Sequence, residues 1–160
     1  MTILGIDPGT ATTGYGVIKN FTYKKRKHLK AVDYGCIKTQ SSLSDGKRLE
    51  IIYKNIIKII KKHKPNKIAV ENLFFCKNIK TATTVGQAKG VILLAANRMK
   101  IPYFEYTPLQ VKQAVTSYGR AEKFQIQKMV KVILKLKEIP KPDDAADALA
   151  IAICCAHTTL

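Results

Sequence analysis

The 160-residue sequence contains no tryptophan, three histidines and few acidic residues, and it has no long apolar run. No segment approaches the roughly 18 apolar residues that a membrane-spanning helix needs. The N-terminus, MTILGIDPG, lacks the basic and then apolar pattern of a secretory signal. The length corresponds to one domain. We therefore expect a single cytoplasmic domain over residues 1–160 with no membrane partner.

The four cysteines form no CxxC pair, and the histidines have no zinc-like spacing to them. This pattern argues against a zinc site and against a disulfide framework. We expect Cys36, Cys76, Cys154 and Cys155 to be small buried apolar residues in a reducing compartment.

Negative charge is scarce, whereas positive charge is abundant. Lys and Arg total 28 against 11 Asp and Glu, which gives a formal net charge of +17. Such an excess costs self-repulsion in the compact state, and a polyanionic partner is its usual reason. The alternative is a general enrichment in lysine, in which case stretches such as Lys24–Lys27 are solvated surface.

The first third of the chain predicts an antiparallel meander of strands. Alternating or continuous apolar segments, bounded by turn residues, indicate strands at Thr2–Ile6, Thr13–Lys19 and Leu29–Thr39. The basic stretch Lys24–Lys27 is predicted to be the hairpin loop between the second and third strands.

The apolar period then changes to three and four residues, which predicts alternating helices and strands. The helices are expected at Asp45–His63, Ile79–Met99, Pro108–Tyr118, Ala121–Leu136 and Asp143–His157, and the strands at Lys67–Glu71 and Tyr103–Tyr106. The order predicts an α/β fold with a mixed five-stranded sheet flanked by helices. Sites in such sheets gather at the carboxyl ends of the parallel strands.

Four acids stand at positions that suit a metal site. Asp7 and Glu71 directly follow apolar strands, and Asp144 and Asp147 share one face of the last helix. Each has an ordinary explanation alone, as a turn residue, a helix cap or a solvated strand end. Together, oxygen ligands without His or Cys suit two Mg²⁺ ions, with Mn²⁺ as a substitute, and such a pair hydrolyses phosphodiesters.

Several motifs occur in a fixed order along the chain. It opens with Gly5-Ile6-Asp7-Pro8-Gly9-Thr10, and further blocks are Glu71-Asn72-Leu73-Phe74, Gly86-Gln87-Ala88-Lys89-Gly90 and Asp144-Ala145-Ala146-Asp147. In this order, the motifs resemble those of the RuvC family of Holliday-junction resolvases. The resemblance spans nearly the whole chain and is weakest over Asn20–Leu29. It implies an RNase H-like fold, a homodimer, and a catalytic set of Asp7, Glu71, Asp144 and Asp147. Its spacing selects Asp144 and leaves Asp143 as the helix cap.

The same resemblance assigns residues to DNA. It implies that Phe74 probes the junction and that Lys112 and Lys123 lie near the scissile phosphate, where a lysine offsets developing negative charge. Phe75 is the alternative wedge, although one of the two rings is expected to be core. Lys77 and Lys89 are candidate backbone contacts, with ordinary solvated lysines as the alternative.

The implied activity is paired symmetric nicking of four-way DNA junctions, in partnership with a RuvA–RuvB branch-migration complex. Gly86 and Gly90 lie four apart in a helix, which permits close packing either within the subunit or across a dimer. Three alternatives remain for the function: a YqgF-like nuclease that processes ribosomal RNA precursors, a sugar-kinase-like nucleotide-binding domain, and a non-catalytic junction-binding protein. The second would need two such domains, for which 160 residues have no room.

Overall fold

The computed structural model describes residues 1–72 and 79–158 and contains five strands and five helices within them. The strands are β1 (Thr2–Asp7), β2 (Thr12–Tyr23), β3 (Arg26–Lys38), β4 (Lys67–Glu71) and β5 (Tyr103–Tyr106). The helices are α1 (Asp45–His63), α2 (Ile79–Arg98), α3 (Pro108–Thr116), α4 (Lys123–Ile133) and α5 (Asp143–Thr158). The predicted order of elements is confirmed.

The strands form one mixed sheet in the order β3-β2-β1-β4-β5. The first three strands pair antiparallel, while β4 runs parallel to both β1 and β5. The predicted α/β architecture is confirmed. Because β1 and β4 are parallel neighbours, their terminal residues Asp7 and Glu71 reach the same edge of the sheet.

Helices cover both faces of this sheet and give two apolar layers. On one face, α1 buries Ile52, Ile56 and Ile60, which fall on one stripe because they are four residues apart. On the other face, α5 is buried continuously from Ala148 to Ala156, and α3 and α4 pack outside it. A helix apolar on all sides belongs inside a domain, so α5 is the central helix of its layer.

Two glycines allow α5 to lie directly on the sheet. A Cβ atom at Gly5 would collide with the backbone oxygen of Ala148, and one at Gly14 with that of Asp144. The close approach therefore fixes the start of α5 against β1 and β2, beside the strand ends that carry the acids.

The hairpin between β2 and β3 is longer than predicted. The expected four-residue loop, Lys24–Lys27, is a two-residue turn, in which Lys24 and Lys25 have φ of 47° and 62°. Two left-handed residues match the twist of a tight hairpin. The prediction was wrong because the four consecutive basic residues Lys24–Lys27 are typical of a solvated loop, which concealed the start of β3 at Arg26.

Smaller corrections concern single residues. Asp143 is the first residue of α5 rather than its cap, because the carbonyl of Pro142 accepts the hydrogen bonds of Ala145 and Ala146. Cys154 and Cys155 are buried as expected, whereas Cys36 is half-buried and Cys76 lies outside the described residues. Over the described ranges, every helix is too short or too polar to cross a membrane.

Candidate active site

The first acid is held at a rigid turn that follows β1. The hydroxyl of Thr13 is fully buried and donates to the carbonyl of Gly9 at 2.6 Å. The hydroxyl of Thr39 donates to the carbonyl of Thr10 at 2.5 Å and accepts from Nε of Arg48 at 2.9 Å. These bonds fix the Pro8–Thr10 turn and thereby the end of β1 that carries Asp7.

Three of the four predicted acids line one cleft of about 210 Å³. Asp7 and Glu71 come from the adjacent ends of β1 and β4, and Asp147 comes from the second turn of α5. Asp144 lies beside this cleft, over Gly14, and its charge reaches both Asp7 and Asp147. The fold thus gathers the predicted acids at one edge of the sheet.

The acids make each other difficult to ionise. Burial, followed by the charges of Glu71, Asp147 and Asp144, raises the pKa of Asp7 from 3.8 to about 8. Burial and the charge of Asp147 also raise the pKa of Glu71. The pKa of Asp147 is raised by burial, although Lys123 opposes the shift. Such mutual repulsion falls when a cation lies among the carboxylates.

A lysine from α4 lies directly beside these acids. Nζ of Lys123 is 3.1 Å from Oδ2 of Asp147 and 3.4 Å from Oδ2 of Asp143. Burial alone lowers the pKa of Lys123, but the hydrogen bond to Asp147 and the two aspartate charges raise it overall. Lys112 on α3 lines the same cleft. Both predicted catalytic lysines therefore lie near the acids.

The carboxylates do not make a closed metal cage by themselves. Among the residues that the structure describes, no three His, Cys, Asp or Glu side chains are arranged to hold a metal ion. Mg²⁺ seldom requires such a cage, because it is usually bound by one or two carboxylates together with waters and substrate phosphates. The oxygen-only donors and their raised pKa values fit a hard divalent cation that shares its coordination with a substrate.

Lys89 has partners within the chain. Its ammonium donates to Oδ1 of Asn72 at 3.0 Å and lies 2.6 Å from Oε2 of Glu105, and its side chain is only 14% exposed. The contact joins α2, β5 and the residue after Glu71, so it braces the end of β4. DNA contact by Lys89 stays a prediction. Phe74, Phe75 and Lys77 lie outside the described residues.

Sequence reasoning missed the supports of the site. Thr13, Thr39 and Arg48 hold the turn after Asp7, and Pro108, Val111 and Ile126 form the apolar wall of the cleft. Thr13 gave a weak local signal, since a hydroxyl just after a turn often bonds back to its backbone. Arg48 and Ile126 gave none, because their contacts depend on the fold.

Comparisons with known proteins identify one family that this chain resembles over nearly its whole length. A family model described as crossover junction endodeoxyribonuclease RuvC matches residues 3–155. A protein of that name from Halothermothrix orenii is 56% identical over 154 residues, which are 96% of this chain and 91% of that protein. The Thermus thermophilus RuvC structure is 35% identical with a TM-score of 0.89, over 98% of this chain and 93% of that one. The same protein in complex with Holliday junction substrate gives 33% identity and a TM-score of 0.87, over the same shares.

Proposed function

The chain belongs to the RuvC family of crossover junction endodeoxyribonucleases, and from this premise we propose that it resolves four-way DNA junctions by paired symmetric nicks. Each nick is the hydrolysis of one phosphodiester bond. The observation that carries the proposal is a single cleft that joins Asp7, Glu71 and Asp147 with Lys112 and Lys123. Acids that bind metal and lysines that bind phosphate are the two parts that such a hydrolysis needs.

The metal in this proposal is Mg²⁺, two ions per subunit, with Mn²⁺ as a substitute. Asp7, Glu71 and Asp147 would hold the ions from the cleft wall, and Asp144 would contribute from beside it. When bound, the ions supply an activated water and neutralise charge on the leaving 3′-oxygen. The high pKa of Asp7 means that this carboxyl gives up its proton most readily when a cation is present.

The lysines in this proposal act on the phosphate. Lys123 extends from the start of α4 and is 53% exposed, so its ammonium has access to a DNA strand as well as to Asp147. Lys112 approaches from α3. Both would bind non-bridging oxygens and stabilise the negative charge that grows in the transition state. The bond to Asp147 keeps Lys123 aimed into the cleft.

Paired nicks require two clefts, and we infer a homodimer that supplies them. The α2 helix offers a surface for it. A Cβ atom at Gly90 would meet no atom within 4 Å among the described residues, and Leu94, one turn further on, is 52% exposed. Gly90 is therefore not needed for packing within the described chain. A small residue beside an exposed Leu suits close contact with a second copy.

The remaining assignments extend this proposal to the substrate and its partners. Phe74 would wedge into the distorted junction, and Lys77 and Lys89 would contact the DNA backbone. A RuvA–RuvB branch-migration complex would supply the junction to the dimer in the cytoplasm.

Two alternatives are weaker on specific grounds. A YqgF-like nuclease would act on RNA precursors, but the family match over residues 3–155 favours DNA junctions. A non-catalytic binding protein would have no use for acids that repel one another inside a cleft, because uncompensated buried charge costs stability.

A substrate comparison tests the function. The protein is incubated with a synthetic four-way junction, a linear duplex of the same sequence and a structured RNA, with Mg²⁺ and with a chelator. We expect two symmetric nicks in the junction only, and only with Mg²⁺. Cleavage confined to the RNA would replace the proposal with the first alternative, and tight junction binding without any cleavage would replace it with the second.

A further inference from the structure

The β2–β3 hairpin extends beyond the rest of the sheet. The last pair of β1 with β2 joins Thr2 to Lys19, and the backbones of Met1 and Asn20 exchange two hydrogen bonds of 2.8 and 2.9 Å. Beyond Asn20, β2 pairs with β3 alone as far as Tyr23 and Arg26. This end of the hairpin, residues 19–30, is called the ribbon below. Its outer part, residues 21–28, is paired on neither outer edge and would have marginal stability by itself, so its side chains are expected to have a purpose.

Rings and cations share one face of the ribbon. Residues directly opposite in an antiparallel pair point to the same side. The register pairs Lys19 with Lys30, Phe21 with His28, and Tyr23 with Arg26. All six side chains therefore lie on one face, which we call the ring face. It is the face of the sheet that α1 covers further along, since Val17, two residues before Lys19, packs in that layer.

The rings of the ring face contact one another although this face is open to solvent. The rings of Phe21 and His28 stack with centroids 5.7 Å apart, and Tyr23 meets His28 edge-on at 6.3 Å. Phe21 is 45% exposed and Tyr23 is 60% exposed. Cross-strand stacking stiffens the ribbon. The three rings thus form an exposed aromatic cluster flanked by positive side chains.

The charge of the ribbon identifies the class of its partner. Residues 19–30 contain six Lys or Arg, namely Lys19, Lys24, Lys25, Arg26, Lys27 and Lys30, and no acid occurs between Asp7 and Asp33. No carboxylate within the ribbon can neutralise these cations. Repeated cations along a narrow element match the repeated phosphates of a nucleic acid.

We propose that the ring face of the ribbon is a second DNA-binding surface, which holds the backbone of a duplex arm of the junction away from the cut. The inference rests on the proposed function for the identity of the substrate. Asp7 pairs with Gly14, and Tyr23 lies nine residues further along β2. At about 3.3 Å per residue the ribbon tip is roughly 30 Å from the acids. A duplex must extend about nine base pairs from the cut to span that distance.

This distance gives the proposal a specific test, which is the dependence of binding on arm length. Junctions are prepared with arms of about 7 base pairs, closed by tight loops, and with arms of about 20 base pairs. The variant K19Q/R26Q/K30Q removes the three cations that the strand register places on the ring face. It leaves Lys24, whose ammonium lies 5.6 Å from the centre of the Tyr23 ring. The control K128Q/K135Q/K137Q removes three exposed lysines on and after α4, on the opposite face of the sheet. Thermal unfolding checks that both variants are folded.

We expect the wild-type protein to bind the long-armed junction at least tenfold more tightly than the short-armed one. The ribbon variant should lose that ratio. On long arms, the slope of log binding constant against log salt concentration should decrease in magnitude by about 2–3 in this variant. Each phosphate that is no longer neutralised lowers that magnitude by roughly 0.9. The α4 control should keep the wild-type ratio. Cleavage by saturating protein should be unchanged in the ribbon variant, because these residues lie far from the cleft.

Two results would overturn the inference. One is a ribbon variant that keeps the wild-type ratio of affinities for long-armed and short-armed junctions. The other is an equal loss of that ratio in the α4 control, which would attribute the effect to total charge instead of to the ribbon. Failure of the proposed function is a separate result, since a protein that cuts no junction could still show an arm-length ratio that depends on the ribbon.

Discussion

The ammonium of Lys123 lies 3.1 Å from Oδ2 of Asp147, so the start of α4 is tied to the acid cluster on α5. The pair is open to solvent on the lysine side, where a surface ion pair by itself contributes little to stability. The main effect of the pair is therefore to position the Lys123 side chain. The contact keeps a mobile cation at the mouth of the cleft, next to the place where a phosphate would bind.

Replacing Lys123 tests that position. We expect Lys123→Met to lower the rate of junction cleavage by roughly 100-fold, as is typical when one charge-stabilising donor is removed. Thermal stability should change little. The rate is measured in single turnover with saturating protein, and Lys123→Arg is the matched control, expected to retain part of the activity. Equal rates for Lys123→Met and wild type would remove Lys123 from the chemistry.

The raised pKa of Asp7 predicts an unusual dependence of stability on pH. Between 3.8, its ordinary value, and about 8, the folded protein holds a proton on Asp7 that the unfolded chain has lost. Stability without divalent ions should therefore fall as pH rises through this window, by up to about 1.4 kcal/mol per pH unit from this one group. Below and above this pH window, Asp7 does not contribute to the pH dependence of the unfolding free energy.

Asp7→Asn isolates this contribution, because the amide does not titrate. Denaturant unfolding in the presence of a chelator is compared at several pH values between 4 and 9. The difference in unfolding free energy between variant and wild type should move in favour of the variant as pH rises to 8. A difference that is constant with pH would show that Asp7 ionises normally in the folded protein.

Lys89 has two competing roles that can be separated. If its main partner is Glu105, the reductions of unfolding free energy in Lys89→Met and Glu105→Gln should not be additive, since both remove the same ion pair. The coupling is expected to be below about 1 kcal/mol, because Glu105 is an exposed residue. If Lys89 instead binds DNA, as predicted from the sequence, Lys89→Met should reduce the salt slope of junction binding by about 1 even in the Glu105→Gln background. Additive stabilities together with an unchanged slope would contradict both roles.

The inferred dimer surface on α2 can be tested by a substitution at Gly90. A Gly90→Arg side chain meets open space within the described part of the chain, so the monomer should remain folded. At a subunit contact it should block close approach, and sedimentation should show a monomer where the wild-type protein shows a dimer. Nicks by the variant should become unpaired. The matched control is Lys58→Glu, an exposed position on α1. A Gly90→Arg protein that stays dimeric would move the interface elsewhere.

Much of the fold could be predicted because its signals are local. Apolar residues at three- and four-residue spacing, ended by a proline, predict α1 at Asp45–His63, and the structure has the same bounds. The β4 strand at Lys67–Glu71 is likewise confirmed, since a short apolar run bounded by turn residues is typical of a buried strand. The outer part of the ribbon was missed because its consecutive lysines and arginine are typical of a solvated loop.

The site is more difficult to predict, because its geometry depends on contacts between distant segments. The positions of Asp7 and Glu71 after apolar strands were visible in the sequence, and parallel pairing brings them together. That Asp144 lies beside the cleft rather than in its wall depends on how closely α5 approaches Gly14. The bonds from Lys89 to Asn72 and Glu105 connect α2 with β5 and with the residue that follows β4. No local sequence pattern predicts them.

The most direct test of the central claim measures binding and cutting side by side in Asp7→Asn with a synthetic four-way junction and Mg²⁺. An amide retains the shape of the carboxyl but is a poor metal ligand, and the substitution leaves the basic surface in place. We predict junction affinity within a few-fold of wild type and cleavage reduced by at least about 1,000-fold, the order expected on removal of one essential charge-stabilising group. Wild-type cleavage rates in Asp7→Asn would contradict the claim that this acid cluster binds the catalytic ions.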